Sequence, residues 1–228
     1  GYKTAIVIGH DWGAPTAWSC AKDHPELFTA VGALSVPFSP RSETPPLETL
    51  QAIFKGMFFY QLYFQEPGIA EAEFEKDIEV SLRKFLYLAS GEADLTGLAP
   101  KGPDSDLLSE IPDPGKLADW CSPADLAYYV KQFKKSGFRG PLNYYRNHNE
   151  TWAMTENMPK TIEQPAMFMA GDRDGVIMMA AEALKAMPNH VKDLRINELI
   201  PGAGHWTQQE APEAVNKGIL KFLSEVSG

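Results

Sequence analysis

The chain predicts an α/β protein, a mostly parallel sheet covered by helices on both faces and interrupted by a helical insertion. Three observations carry that prediction. The β-branched apolar run Thr4-Ala5-Ile6-Val7-Ile8 leads through Gly9-His10-Asp11-Trp12-Gly13 into a helical stretch, Thr16 to Lys22. Further short apolar runs alternate with helical stripes, the pattern of strands buried under helices. From about Ser39 to Met158 the buried-strand runs stop and aromatic residues become frequent.

In order, the core begins with Thr4–Ile8 as a buried strand, the Gly-x-Asp-x-Gly turn, and a helix that ends at His24 before Pro25. A second strand is expected over Thr29–Ser35, a third over Pro165–Ala170 ending at Gly171, and a fourth over Leu194–Ile200 ahead of Pro201-Gly202-Ala203-Gly204. The last helix carries Val215, Ile219, Leu220, Phe222, Leu223 and Val226 as an apolar stripe. Residues 1–38 and 159–228 thus form the core, and 39–158 a helical lid over the carboxyl ends of the strands, where such sheets bind ligands. Within the lid, Phe74, Ile78, Leu82, Phe85 and Leu86 predict one amphipathic helix. A second starts at Ser122 as N-cap with Pro123 at the first helical position, and stops at Gly137. Ala89 to Cys121 reads as a long loop of the kind that shapes a binding site.

Composition narrows the function. A net charge of −9 without a basic cluster argues against nucleic acid. No apolar run is long enough to span a bilayer, and no signal peptide is visible at Gly1. Cys20 and Cys121 lack metal-ligand spacing and read as ordinary thiols, which fits the cytoplasm.

A strand, Gly-x-residue-x-Gly and a helix form the nucleophile elbow of α/β-hydrolases, whose central residue is held in a strained conformation that exposes its side chain. Here that residue is Asp11 rather than Ser. A carboxylate serves poorly for acyl transfer but can attack an sp3 carbon to form an alkyl ester, so the elbow points to epoxide opening or halide displacement. The amide of Trp12 is the obvious donor for the oxyanion formed when that ester is hydrolysed. His205 follows the last strand, where this fold delivers its base in the chain order nucleophile, acid, histidine. The orienting acid should follow the third strand, where Gly171-Asp172-Arg173-Asp174 offers two aspartates. Of the remaining histidines, His10 should point away from the nucleophile, and His148 and His190 read as solvated loop residues.

Beyond these motifs, the stretches Phe59-Tyr60-Gln61-Leu62-Tyr63-Phe64-Gln65-Glu66-Pro67-Gly68 and Ser136-Gly137-Phe138-Arg139-Gly140-Pro141-Leu142-Asn143-Tyr144-Tyr145-Arg146-Asn147 closely resemble soluble epoxide hydrolases of the α/β-hydrolase fold. So do the elbow, the Gly-Asp-x-Asp turn and Gly-His-Trp-Thr-Gln near the end. The resemblance covers nearly the whole chain and is weakest over 89–121. It implies Asp174 as the acid, with Asp172 as a turn former, and Tyr60 and Tyr145 as donors to the epoxide oxygen, with Tyr63 and Tyr144 as lid packing. It implies no metal or organic cofactor, and a small-molecule epoxide as the substrate. Phe54, Met57, Phe58, Phe59 and Phe64 suggest a lipophilic one. Haloalkane dehalogenases, which also place Trp after an elbow Asp, are the rival resemblance.

The resemblance also implies strands before the elbow and a His-Gly-x-Pro loop, and the sequence holds neither. With the strands found here alone, Ala5–Ile8 would be an apolar sheet edge of the kind normally covered. An upstream segment or a second polypeptide is therefore expected along that edge, a homodimer is a separate expectation, and the chain alone could be an inactive module.

Overall fold

The computed structural model describes residues 1–94, 100–109 and 111–226. In chain order the elements are β1 (Ala5–His10), α1 (Gly13–Asp23), β2 (Phe28–Leu34), α2 (Pro46–Ile53), α3 (Tyr60–Tyr63), α4 (Ile69–Lys76), α5 (Ile78–Leu88), α6 (Pro123–Ser136), α7 (Arg139–Arg146), α8 (His148–Met154), β3 (Ile162–Gly171), α9 (Gly175–Met179), α10 (Ala181–His190), β4 (Val191–Ile200), α11 (Thr207–Glu210) and α12 (Pro212–Val226). They fall into two compact units. One holds 1–41, 89–92 and 157–228, and the other 42–88 and 93–156.

The first unit is an α/β layer structure. Its sheet runs β1-β2-β3-β4 with every neighbouring pair parallel. Alternating side chains of each strand feed two cores. On one face Val31, Ala33, Ala166 and Phe168 pack with Ala14, Ala17 and Trp18 of α1 and Met187 of α10. On the other, Leu34, Met167, Met169 and Ile196 pack with Val215 and Phe222 of α12. Burial of these large side chains is the main stabilising contribution, each worth about 1.5–3 kcal/mol.

Two expectations about this unit need correction. β1 is an edge strand with no fully buried residue, and Ile8 is 36% exposed, because only β2 pairs with it among the described residues. Along α12, Leu220 is 67% exposed and so stands outside the apolar stripe, which Val215, Gly218 and Phe222 line with Ile219 beside them.

The second unit is helical. Phe64, Phe74, Leu82, Leu86, Leu126, Val130, Phe138 and Leu142 are buried in it, with Phe74 edge-on to both Phe64 and Phe138 at ring centroid distances of 5.8 and 5.3 Å. α6 has the expected caps. Ser122 and Asp125 form a reciprocal capping box, Pro123 opens the helix, and Gly137 leaves it at φ 65°. The helix expected through Phe74–Leu86 is two helices. Asp77 takes an extended φ of −148° after α4, and its carboxylate then accepts the Val80 N–H as the N-cap of α5. Between α5 and α6 the described residues carry no helix or strand, and the expected loop's residues 95–99 and 110 lie outside the described set. No helix among the described residues is long and apolar enough to cross a membrane.

Candidate active site

β1 ends in a turn whose backbone leaves no room for a side chain at Gly9, where a Cβ would stand 1.9 Å from the Gly13 carbonyl oxygen. That close approach lifts Asp11 to φ 51°, a left-handed value that costs a non-glycine residue about 1–2 kcal/mol. Gly13 is different, for a Cβ there meets nothing. The Asp11 carboxylate is left about one-third exposed.

His205 lies between β4 and α11, and its Nε2 is 3.3 Å from Asp11 Oδ2. Its Nδ1 is 3.2 Å from each oxygen of Asp174, which is fully buried at the N-cap of α9. Asp174 Oδ1 also accepts the Val176 N–H at 2.8 Å. The acid therefore holds the Nδ1 edge and leaves Nε2 turned toward Asp11. Asp172 has a separate task. It is exposed, and its carboxylate accepts the Gly202 N–H at 2.7 Å across the turn after β4.

The loop bearing His205 is pinned from several sides. The Glu210 carboxylate accepts the N–H groups of Gly91, Gly204 and Trp206 at 2.8, 2.9 and 3.0 Å. The His205 N–H donates to Ala89 O at 2.8 Å. Gly204 runs so close to the 89–91 backbone that a Cβ would lie 2.2 Å from the Gly91 nitrogen.

Charge in the site is coupled. Burial pushes the His205 imidazolium toward losing its proton, but hydrogen bonds to Asp11 and Asp174 outweigh it and raise the pKa to about 9. Burial pushes the Asp11 carboxyl up, and the His205 contact together with the Trp12 amide outweighs it, so the net shift is downward. The site thus favours a carboxylate–imidazolium pair, with the Trp12 N–H turned to the carboxylate.

Two further residues, Ser35 and His10, belong to this cluster, and sequence reasoning singled out neither as part of the site. Ser35, just after β2, is fully buried at φ 73°, with its hydroxyl against both Asp174 and His205. A Ser at a strand end carries no signal by itself. His10 was expected to point away from the nucleophile. Its Nε2 donates to the His205 carbonyl at 2.7 Å and its ring packs on the His205 ring at 4.9 Å, because the turn folds the His205 loop back onto the end of β1. Burial lowers its pKa, and the neighbouring His205 adds to this.

In the helical unit, Tyr60 opens α3 and Tyr145 sits near the end of α7, their rings edge-to-face at 5.8 Å. The Tyr60 hydroxyl accepts the Gln61 Nε2–H at 2.9 Å, and Gln65 Nε2 donates to the Tyr145 carbonyl at 3.1 Å. Arg146 clamps α7 to α4 by donating to both oxygens of Glu71 at 2.7 and 2.9 Å, and these bonds hold the Glu71 carboxyl down at about 2. Tyr63 donates to Glu73 at 3.0 Å, whereas Tyr144 is mostly exposed. His148 and His190 are not solvated loop residues. His148 begins α8, half-buried, 3.1 Å from Gln61 Oε1, and His190 ends α10 beside Phe38.

A family model described as alpha/beta hydrolase fold matches residues 1–212. The chain is 39% identical over 234 residues to epoxide hydrolase A of Mycobacterium tuberculosis (strain ATCC 25618 / H37Rv), covering 98% of this chain and 70% of that protein. It is 37% identical over 225 residues to bifunctional epoxide hydrolase 2 of Rattus norvegicus, covering 98% of this chain and 40% of that longer protein. Among solved structures, an epoxide hydrolase from an endophytic Streptomyces superposes with a TM-score of 0.93 at 37% identity, over 100% of this chain and 70% of that one.

Proposed function

The chain belongs to the α/β-hydrolase fold family, among its epoxide hydrolases, and from that premise we propose that it converts lipophilic epoxides to vicinal diols through an ester on Asp11. The observation that carries the proposal is the Asp11 carboxylate at a left-handed elbow with His205 Nε2 3.3 Å away. In this reading an Asp11 oxygen attacks an epoxide carbon, the carbon–oxygen bond of the ring breaks, and the departing oxygen takes a proton from Tyr60 or Tyr145. An alkoxide is a poor leaving group, so a positioned acid is needed. His205 then removes a proton from water, which attacks the ester carbonyl carbon. The Trp12 amide holds the oxyanion, His205 returns its proton to the departing diol oxygen, and the carboxylic proton left on Asp11 passes through solvent to the tyrosinate, which restores both groups.

The coupled charges order these steps. Ionised Asp11 sustains the His205 imidazolium, which cannot act as a base. Alkylation makes Asp11 neutral and removes that support, so the pKa of His205 falls and its proton is released. The nucleophile's own charge thereby keeps the base idle until there is an ester to hydrolyse.

The aromatic residues of the helical unit, among them the stacked Phe54 and Phe59, support a lipophilic substrate, and we place 39–158 as the lid of the enzyme. A further strand, from an upstream segment or a second chain, is proposed to pair with the open edge of β1, and a cytoplasmic location is proposed from the two free thiols. Trp12 supports dehalogenation as the second reading, since its indole N–H suits a halide. A substrate panel tests these assignments. Styrene oxide should give diol, a chloroalkane should release no halide, Asp11→Ala should lose at least about 10³-fold in turnover, and Tyr60→Phe with Tyr145→Phe should nearly abolish it. Halide release without diol formation would reverse the assignment, and normal turnover in the double tyrosine variant would remove the two acids.

A further inference from the structure

We propose that Ser35 is a positioning residue for the hydrolytic half-reaction, its hydroxyl locking Asp174 and the Nδ1 edge of His205 into one arrangement. The inference rests on the ester mechanism above and adds a residue to it. Ser35 Oγ donates to Asp174 Oδ2 at 2.5 Å and lies 3.0 Å from His205 Nδ1. A hydroxyl has one proton and two lone pairs. Having given its proton to the carboxylate, it can accept the Nδ1–H, so Ser35 closes a three-membered ring of contacts with Asp174 and His205. Together with the Val176 N–H on Oδ1, both oxygens of Asp174 are fixed by donors other than the histidine, and the carboxylate cannot rotate away when His205 changes charge.

The backbone makes the same point independently. Ser35 adopts φ 73°, where glycine sits without cost, and it is fully buried. Its N–H donates to Met169 O at 3.0 Å, which fixes the turn at the end of β2. Strain at a buried side chain persists where the surroundings over-determine it, and such positions cluster at functional sites. Here the left-handed turn brings Oγ between the acid and the base.

Ser35 meets His205 at Nδ1, the ring nitrogen opposite the Nε2 that faces Asp11, so its effect should fall on one step. In single-turnover kinetics followed by intact-protein mass, Ser35→Ala should form the Asp11 ester at the wild-type rate and hydrolyse it about 10- to 100-fold more slowly, the range for losing one hydrogen bond to a charged group. Ser35→Cys, a weak donor of similar shape, should fall between the two. Ser35→Gly removes the hydroxyl while relieving the left-handed strain, so it gives the same readout even if Ser35→Ala folds poorly. A merely structural role would scale both steps with the folded fraction. Ester hydrolysis in folded Ser35→Ala and Ser35→Gly at the wild-type rate would overturn the proposal. His205→Gln separates this from the underlying mechanism. If it traps the ester while the Ser35 variants do not, only Ser35 loses its role. If His205→Gln hydrolyses the ester at the wild-type rate, the mechanism itself falls and the Ser35 proposal with it.

Discussion

Asp11 and Ser35 are the two non-glycine residues with left-handed backbone among those described, and both lie against His205, one at Nε2 and one at Nδ1. Backbone strain, charge and hydrogen bonding therefore converge on a single imidazole. A raised pKa on His205 has a consequence for stability that can be signed. Its value rises from the ordinary 6.5 to about 9 on folding, so its contribution is complete below pH 6.5 and is lost as pH rises from 6.5 to 9. Asp11 is shifted the other way, and its contribution is present above 3.8 and lost as pH falls below it. After allowance for screening at the partly exposed Asp11, the histidine effect should be about 2 kcal/mol. Thermal melts of the wild-type protein should lose stability between pH 6.5 and 9, and melts of His205→Gln should be nearly flat over that range. A wild-type curve as flat as the variant's would remove the carboxylate–imidazolium pair from the account.

The strand–turn–helix that presents Asp11 depends on one of its two glycines. A Cβ at Gly9 collides with backbone, whereas one at Gly13 meets open space in the first turn of α1. Gly9→Ala should open the elbow, cost upwards of about 2 kcal/mol and remove turnover. Gly13→Ala should stay within about 1 kcal/mol of wild type, on the stabilising side if anything, because alanine suits a helix better than glycine. Denaturant unfolding and turnover of the two variants check this, and equal behaviour of the pair would show that the close approach does not constrain the turn. Elements with local chemistry of this kind were legible in the sequence. The strands β1 to β4 stood out as apolar runs, and α6 was marked at both ends by Ser122, Pro123 and Gly137. The break between α4 and α5 was hidden because the apolar spacing runs through Asp77 unchanged, and only the backbone shows that its side chain starts a new helix. The helices α7 and α10 were hidden because they contain residues that disfavour helix, Gly140 and Pro141 in the first and Pro188 in the second.

At the scale of the molecule, the parallel order of the sheet and the approach of Asp11 and His205 followed from motif order along the chain, and the choice of Asp174 over Asp172 came from the family resemblance. Ser35 and His10 did not, since their roles come from contacts 170 and 195 residues distant in sequence. The edge position of β1 gives a prediction at this scale. If a further strand pairs there, the 228-residue chain alone should self-associate with rising concentration, and Ile8→Lys should weaken this because a charged edge resists strand addition. Light scattering after size exclusion reads it, and a wild-type chain that stays monomeric at every concentration would show that the exposed edge of β1 does not pair between copies. One turnover of excess enzyme in heavy-oxygen water separates attack of water on a carbonyl of the protein from attack on a carbon of the substrate. The label should appear in the peptide carrying Asp11, with a diol that carries none. Label in the first-turnover diol, with none on Asp11, would contradict the ester mechanism.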